Sequence, residues 1–396
     1  EALDRSGFDR HFRIPVNGTM TMGQGPLSGI RIIEMEGIGP GPFSGMHLAD
    51  LGADVVLIER KEKGSNPGST MPIGILKRGK RSIALDLKNS DDQELLMNLI
   101  EGADALIEGM RPGVMERLNL GPDACMKRNP RLVYGRITGW GQDGPLAQAA
   151  GHDLNYVAVS SAMWYASPAG GKPLPPPGLV GDVGGGANYL TIGLLAGIIR
   201  ARTTGKGDVI DAAIVDGSAH MMNLVFDLLP KGLMQPERGQ SALDGAPWYN
   251  SYRCADGRYI TLGSLEPKFY SVLLDLLNLT DDPVYEHQFD KNAWANQAKR
   301  LSDLFASQPS AHWCELLEGS DACFGLVTSP TDAADHPHNK ERGIFDDSLG
   351  FRQAIAAPRF ASVSNDFLGE APLHNEHRQE LIDEMVSEQR RWIGAH

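Results

Sequence analysis

The strongest constraint on how this chain folds is an alternation that begins at residue 30. A short apolar run, "IRIIEM", leads through a glycine–proline turn into the helical stretch "GIGPGPFSGMHLADLGA", and a second apolar run, "DVVLIER", follows. The rhythm continues with "DQELLMNLIEGA" as helix, "DALIEG" as strand, "PGVMERLNLGPDACMKRNP" as helix and "RLVYGRITGW" as strand. After a proline-rich loop, "GGKPLPPPGLVGDVGGG", come the helix "ANYLTIGLLAGIIRARTTGKG", the strand "DVIDAAIV" and the helix "DGSAHMMNLVFDLL". Strands alternating with helices predict right-handed crossovers and a parallel sheet covered on both faces, an α/β fold.

The pattern changes near residue 230. "APWYNSYRCADGRYITLGSL" holds two aromatic, β-branched runs around Asp256–Gly257, a hairpin signal. Amphipathic helices follow to about Leu317, and "APRFASVSNDF" reads as extended chain. The expected organisation is a tail over 1–24 outside the fold, a large domain over 25–229, a small α+β domain over 230–330, and a segment over 331–396 that returns to the large domain. With 396 residues and 41% hydrophobic content the chain can bury more than one core.

A formal net charge of −13 gives no general electrostatic footprint for nucleic acid or an anionic membrane, and no apolar run reads as long enough to span a bilayer. Any anionic ligand therefore needs a local basic cluster. One is present: Arg60, Lys61, Lys63, Lys77, Arg78, Lys80, Arg81, Arg111 and Arg117 gather in the first half, several just after predicted strands. They read either as a solvated rim or as a grip on a phosphate-rich ligand. The cysteines Cys125, Cys254, Cys314 and Cys323 form no CxxC pair and no zinc spacing, which fits a reducing, cytoplasmic setting and no metal.

"GIGPGP" after a strand invites a dinucleotide reading, but Gly37, Gly39 and Gly41 lack the G-x-G-x-x-G spacing, and Pro40 and Pro42 remove two N–H donors. It reads as a tight turn into a helix. In "AGHDLNYVAVS", His152 and Asp153 stand at the mouth of an apolar run. No HxxxH or G-x-S-x-G accompanies them, which leaves acid–base work or a carboxylate nucleophile beside the plain reading of a loop or helix cap. Asp182 in "LVGDVGGG" reads as a helix N-cap, as a ligand-facing carboxylate beside glycines, or both. Glu266 in "LEPKFY" reads as a first-turn carboxylate or as a site residue.

In chain order, "GPLSGIRIIEMEGIGPGPFSGMHLADLGADVVLIER", "KRSIALDLK", "RPGVMERLNLGP", "GRITGWGQDGP", "AGHDLNYVAVS", "LVGDVGGG", "TGKGDVIDAAIVDG", "CADGRYITLGSLEPKFY" and "DACFGLVT" resemble the family III CoA-transferase superfamily and, within it, its acyl-CoA racemase branch. The resemblance runs from Gly25 to Phe345. It implies a Rossmann-like large domain, a small α+β domain, an interlocked homodimer with active sites between large and small domains, and an acyl-CoA substrate with no separate cofactor. It also implies roles: His152 and Asp182 as opposing bases in a 1,1-proton transfer on a 2-methylacyl thioester, Glu266 as partner of the histidine, and Asp153 at the position of the transferases' nucleophile. Arg60, Arg111 and Arg117 match CoA phosphate contacts. Ala84, Leu85, Asp86 and Leu87 match the segment near adenosine, and Gly151 and Tyr156 complete the binding set. The alternative within the family is CoA transfer through Asp153. On this reading Met35, Met46, Met163, Met221 and Met222 are core or acyl-chain contacts, and backbone N–H groups around Asp153 or Gly184–Gly186 are the enolate's donors. Racemases of the family usually carry N-L-V-G-D-F-G-G-G. Here Gly178 stands for the Asn and Val183 for the Phe, which implies a reshaped acyl pocket.

Overall fold

The computed structural model describes residues 25–61, 74–361, 363 and 368–393, with side chains in the last helix to residue 387. The predicted tail over 1–24 and the basic residue Lys63 lie outside the described residues. Six parallel strands, β1 (Arg31–Met35), β2 (Asp54–Arg60), β3 (Arg81–Leu85), β4 (Ala105–Glu108), β5 (Val133–Thr138) and β6 (Asp208–Ala213), lie in the order β3-β2-β1-β4-β5-β6. The chain is thus an α/β protein of the doubly wound, Rossmann-like kind. Strand direction of growth reverses between β1 and β4, and the crevice at their C-terminal ends is where such folds place ligands.

Alternate side chains of each strand feed two separate cores. Ile33, Met35, Val56, Ile58, Ile83 and Leu106 face α2 (Ser90–Glu101), the short α3 (Val114–Arg117) and α4 (Pro122–Arg128). Ile32, Val55, Ile107, Val133 and Ile137 face α1 (Pro40–Asp50), α5 (Asp153–Val159) and α6 (Asn188–Thr204). The single helix expected over 112–130 is two, because Asn119 takes a positive φ of 55° and Pro122 opens a new helix.

Two features were not read from the sequence. Strand β3 begins on Arg81, directly after Lys80, charges that conceal a buried strand. Both are buried because each has a carboxylate: Lys80 Nζ to Glu34 Oε2 at 2.5 Å and Arg81 Nη2 to Asp54 Oδ2 at 2.6 Å. Lys77 pairs with Glu59 and Arg78 with Asp50, both at 2.6 Å. Four of the nine basic residues therefore tie strands and helices together and are neither a solvated rim nor a ligand grip. The second feature is the helical start. Leu179–Ala187 forms a π-helix that runs straight into α6, so the helix expected from about Gly184 begins at Leu179 and Asp182 lies inside it, not at its N-cap. The continuous helix Leu179–Thr204, 26 residues with an 18-residue stretch of mean hydropathy 1.2, is long and apolar enough to cross a membrane, where the sequence reading expected no such run. Its Leu190, Leu194 and Ile198 are buried on the sheet, the packing of a core helix.

Beyond α7 (Ile214–Met221) and α8 (Asn223–Leu228), β7 (Tyr249–Arg253), β8 (Tyr259–Gly263) and β9 (Phe324–Leu326) form an antiparallel sheet. It packs on α9 (Pro267–Leu276), α10 (Lys291–Phe305) and α11 (Ser310–Leu317) around Trp248, Phe305 and Trp313. The short α12 (Pro337–Glu341) precedes a two-stranded ribbon, β10 (Phe345–Asp346) with β11 (Gln353–Ala354). The segment before α13 (Arg378–Ile393) covers the outer edge of β3: Asn375 Oδ1 accepts from Ala84 N–H at 2.8 Å, and His377 N–H donates to the Ser82 carbonyl at 2.9 Å.

Candidate active site

Three chain segments meet at the switch point. The turn after β1 brings Gly37–Gly39, with Gly39 as N-cap of α1 at φ 70°, and the adjoining Ile38 is 65% exposed. The loop after β5 brings Gly139 and Trp140. The third segment is the start of α5 together with the π-helix. His152 is the N-cap of α5, its N–H donating to Asn155 Oδ1 at 3.0 Å, and its side chain is exposed.

Asp153, at the first position of α5, does not face solvent as a free nucleophile would. Its Oδ1 accepts the N–H of Asp182 at 2.8 Å, and its Oδ2 accepts the N–H of Gly178 at 3.3 Å. A Cβ at Gly181 would fall 2.3 Å from Asp153 Oδ1, so the turn closes tightly around this carboxylate. Gly178 holds φ 69°, the left-handed region that glycine and asparagine tolerate best, which accounts for the exchange of one for the other at this position. One side chain thus joins the element bearing His152 to the element bearing Asp182.

The Asp182 carboxyl accepts no hydrogen bond among the described residues. It lies against the α1 turn, where a Cβ at Gly39 would be 3.2 Å from its Oδ2. Burial pushes its pKa above the usual aspartate value, the Asp153 charge adds to the rise, and the His152 imidazole is near enough to pull it partly back. Tyr156 is buried beside it. Burial and the Asp182 charge raise the phenol's pKa, its ring stands edge-on to Trp140 at 4.8 Å, and a Cβ at Gly139 or Gly151 would strike it. Gly151 and Tyr156 therefore sit in the wall of this crevice.

Arg60 at the end of β2, Arg111 after β4 and Arg117 in α3 are exposed and make no ion pair among the described residues, unlike the paired Lys77, Arg78, Lys80 and Arg81. Ala84 and Leu85 have buried side chains, while Asp86 and Leu87 follow at the strand's exit. The glycines 184–186 pack, and do not form an open anion cradle: a Cβ at Gly185 would meet Ser218 N at 2.6 Å, and one at Gly186 would meet Pro40 at 3.2 Å. Met35, Met46 and Met222 are buried, and Met163 is partly so. Met221 is partly exposed, with its Cε 3.1 Å from a Gly184 Cβ position.

Glu266 is the exposed N-cap of α9, with no side-chain cap bond and no ion pair to His152 among the described residues. Its charge falls instead on the Cys323 thiol. A single chain does not bring the three proton-handling candidates together. The contact that sequence reasoning missed is Gly39 against Asp182. Its signal was the glycine–proline turn itself, read only as a turn.

These features define a class. The chain belongs to CoA-transferase family III, whose family model matches residues 27–378. Among solved structures it resembles a CaiB/BaiF family protein from Brucella suis, with a TM-score of 0.76 and 25% identity over 91% of this chain and 99% of that one. Among characterised relatives, it is 41% identical over 320 residues to the α-methylacyl-CoA racemase of Mus musculus, covering 81% of this chain and 82% of that protein. The α-methylacyl-CoA racemase of Homo sapiens is 38% identical over 366 residues, covering 90% of this chain and 93% of that protein.

Proposed function

We propose that the protein is an isomerase that racemises 2-methylacyl-CoA thioesters by 1,1-proton transfer through an enolate. The observation that carries this reading is the contrast between two neighbouring carboxylates. Asp153 has both oxygens engaged by backbone N–H groups. Asp182 is unbonded, half-buried, raised in proton affinity and within reach of the His152 charge. Inversion at a carbon needs a base on each face, and His152 and Asp182 are the pair that lines one crevice. Each positioned acid–base group contributes roughly 10²–10⁴-fold. The remainder falls to stabilisation of the enolate oxygen, for which the Asp153 N–H, at the start of α5 and without a partner among the described residues, is the candidate donor.

The free guanidiniums of Arg60, Arg111 and Arg117 are the proposed CoA phosphate contacts, with Asp86–Leu87 near the nucleoside and the thioester end reaching Tyr156 and Gly151. Glu266 is proposed to orient His152 across a homodimer interface, which completes the site that one chain leaves open. In this scheme CoA belongs to the substrate and no cofactor takes part. The free thiols Cys125, Cys254, Cys314 and Cys323 support a reducing, cytoplasmic setting.

The test is incubation of one enantiomer of a 2-methylacyl-CoA in D₂O, with and without an acceptor carboxylic acid. The expected result is α-deuterium incorporation and loss of chirality without acceptor. Acceptor-dependent CoA exchange with a retained stereocentre would instead make Asp153 the nucleophile of a transferase.

A further inference from the structure

The proposed reaction leaves the motif "GIGPGP" without a role, although its turn touches the Asp182 carboxyl. In an ordinary helix start, the N-cap side chain places an oxygen just beyond its own Cβ and accepts the N–H of the second or third helical residue. Gly39 has no side chain, and Asp182 Oδ2 stands 3.2 Å from where its Cβ would be. A carboxylate from another element thus lies against the start of a helix whose own N-cap carries no side chain. The helix does not answer it: Pro40 and Pro42, its first and third residues, have no N–H, and Asp182 takes no bond from Gly41 between them. The turn is held in place from below, where Lys80 Nζ donates to the Pro42 carbonyl at 3.0 Å and pairs with Glu34.

Resting on the racemase reading above, we propose that Pro40 and Pro42 are tuning residues for proton transfer. They deny Asp182 the backbone hydrogen bonds that a helix start would supply, and so leave its carboxyl able to hold a proton as readily as to give one. Backbone N–H bonds and the positive end of a helix both favour the ionised form. A base that must also act as acid is poorly served by either. The charged groups that bear on Asp182 are Asp153 and His152 at the start of α5, with the Tyr156 phenol beside them, and none comes from α1, α6 or α7.

Pro42→Ala restores one N–H at the usual capping position and keeps the carbonyl that Lys80 grips. Pro40→Ala restores one at the first position and carries the test if the former does not fold. Both are read by carbon-13 NMR titration of the Asp182 carboxyl in aspartate-labelled protein, assigned with Asp182→Asn, and by the pH profile of α-proton exchange. The carboxyl midpoint is expected to fall by about one pH unit in Pro42→Ala, with an equal displacement of one limb of the exchange profile. A midpoint that stays in place in a folded variant overturns the proposal. A parent that exchanges no α-proton at all overturns the racemase reading alone, because the carboxyl titration still decides this one.

Discussion

At the scale of single residues, the site separates two aspartates by what each one touches. Asp153 is braced by two N–H groups, and the Asp182 carboxyl has none among the described residues. The second arrangement carries a folding cost with a definite sign. The Asp182 pKa is raised first by burial and then by the Asp153 charge. Between the ordinary carboxylate value and the raised one, the native state holds a proton that the unfolded chain has lost. Stability contributed by the protonated group therefore declines as pH rises through that window, and at neutral pH the ionised carboxylate disfavours the fold. Asp182→Asn is expected to abolish racemisation and to melt higher than the parent, with a gap that opens as the pH rises above the ordinary aspartate value of about 4. Thermal unfolding across that rise checks it. Superimposable melting curves would show that Asp182 is not held above its ordinary pKa. None of this was legible in the sequence, where "LVGDVGGG" allowed a cap and a ligand-facing carboxylate equally. The choice depends on Gly39 and Asp153, both remote in the chain.

At the scale of elements, the alternating pattern was legible wherever an apolar run was uninterrupted. Strands β1, β2, β4, β5 and β6 and the β7–β8 hairpin lie where periodicity and turn residues put them. Strand β3 escaped because its charges are satisfied by carboxylates on other strands and helices, information that is not local. The π-helix escaped because a nine-residue stretch with four glycines carries no period to read, and it packs against α7 and α1. The seat of α6 on β5 follows from missing side chains: a Cβ at Gly135 would lie 2.8 Å from Leu194 Cδ2 and 2.9 Å from Leu190 Cδ1. Gly135→Val is accordingly expected to destabilise the protein by about 1–3 kcal/mol through overpacking. A urea midpoint unchanged from the parent would mean that α6 can lift from the sheet without cost.

At the scale of the whole molecule, the strand order brings the β1 turn, the β5 loop and the start of α5 together, and Arg60, Arg111 and Arg117, at strand and helix ends, make no ion pair among the described residues. The resemblance to family III was legible from ordered motifs. The difference between neighbours within those motifs was not, because His152 and Asp153, adjacent in sequence, meet different surroundings: the first is exposed and the second is held by two backbone N–H groups. In the proposed reaction His152 and Asp182 work on opposite faces of one carbon. The measurement that tests it most directly is deuterium wash-in from D₂O into each enantiomer of a 2-methylacyl-CoA by His152→Gln and Asp182→Asn. Each variant is predicted to lose racemisation yet still exchange, with retained configuration, the α-proton of the one enantiomer that faces its surviving base, with opposite preference in the two variants. Equal loss of exchange for both enantiomers in either variant would contradict a base on each face.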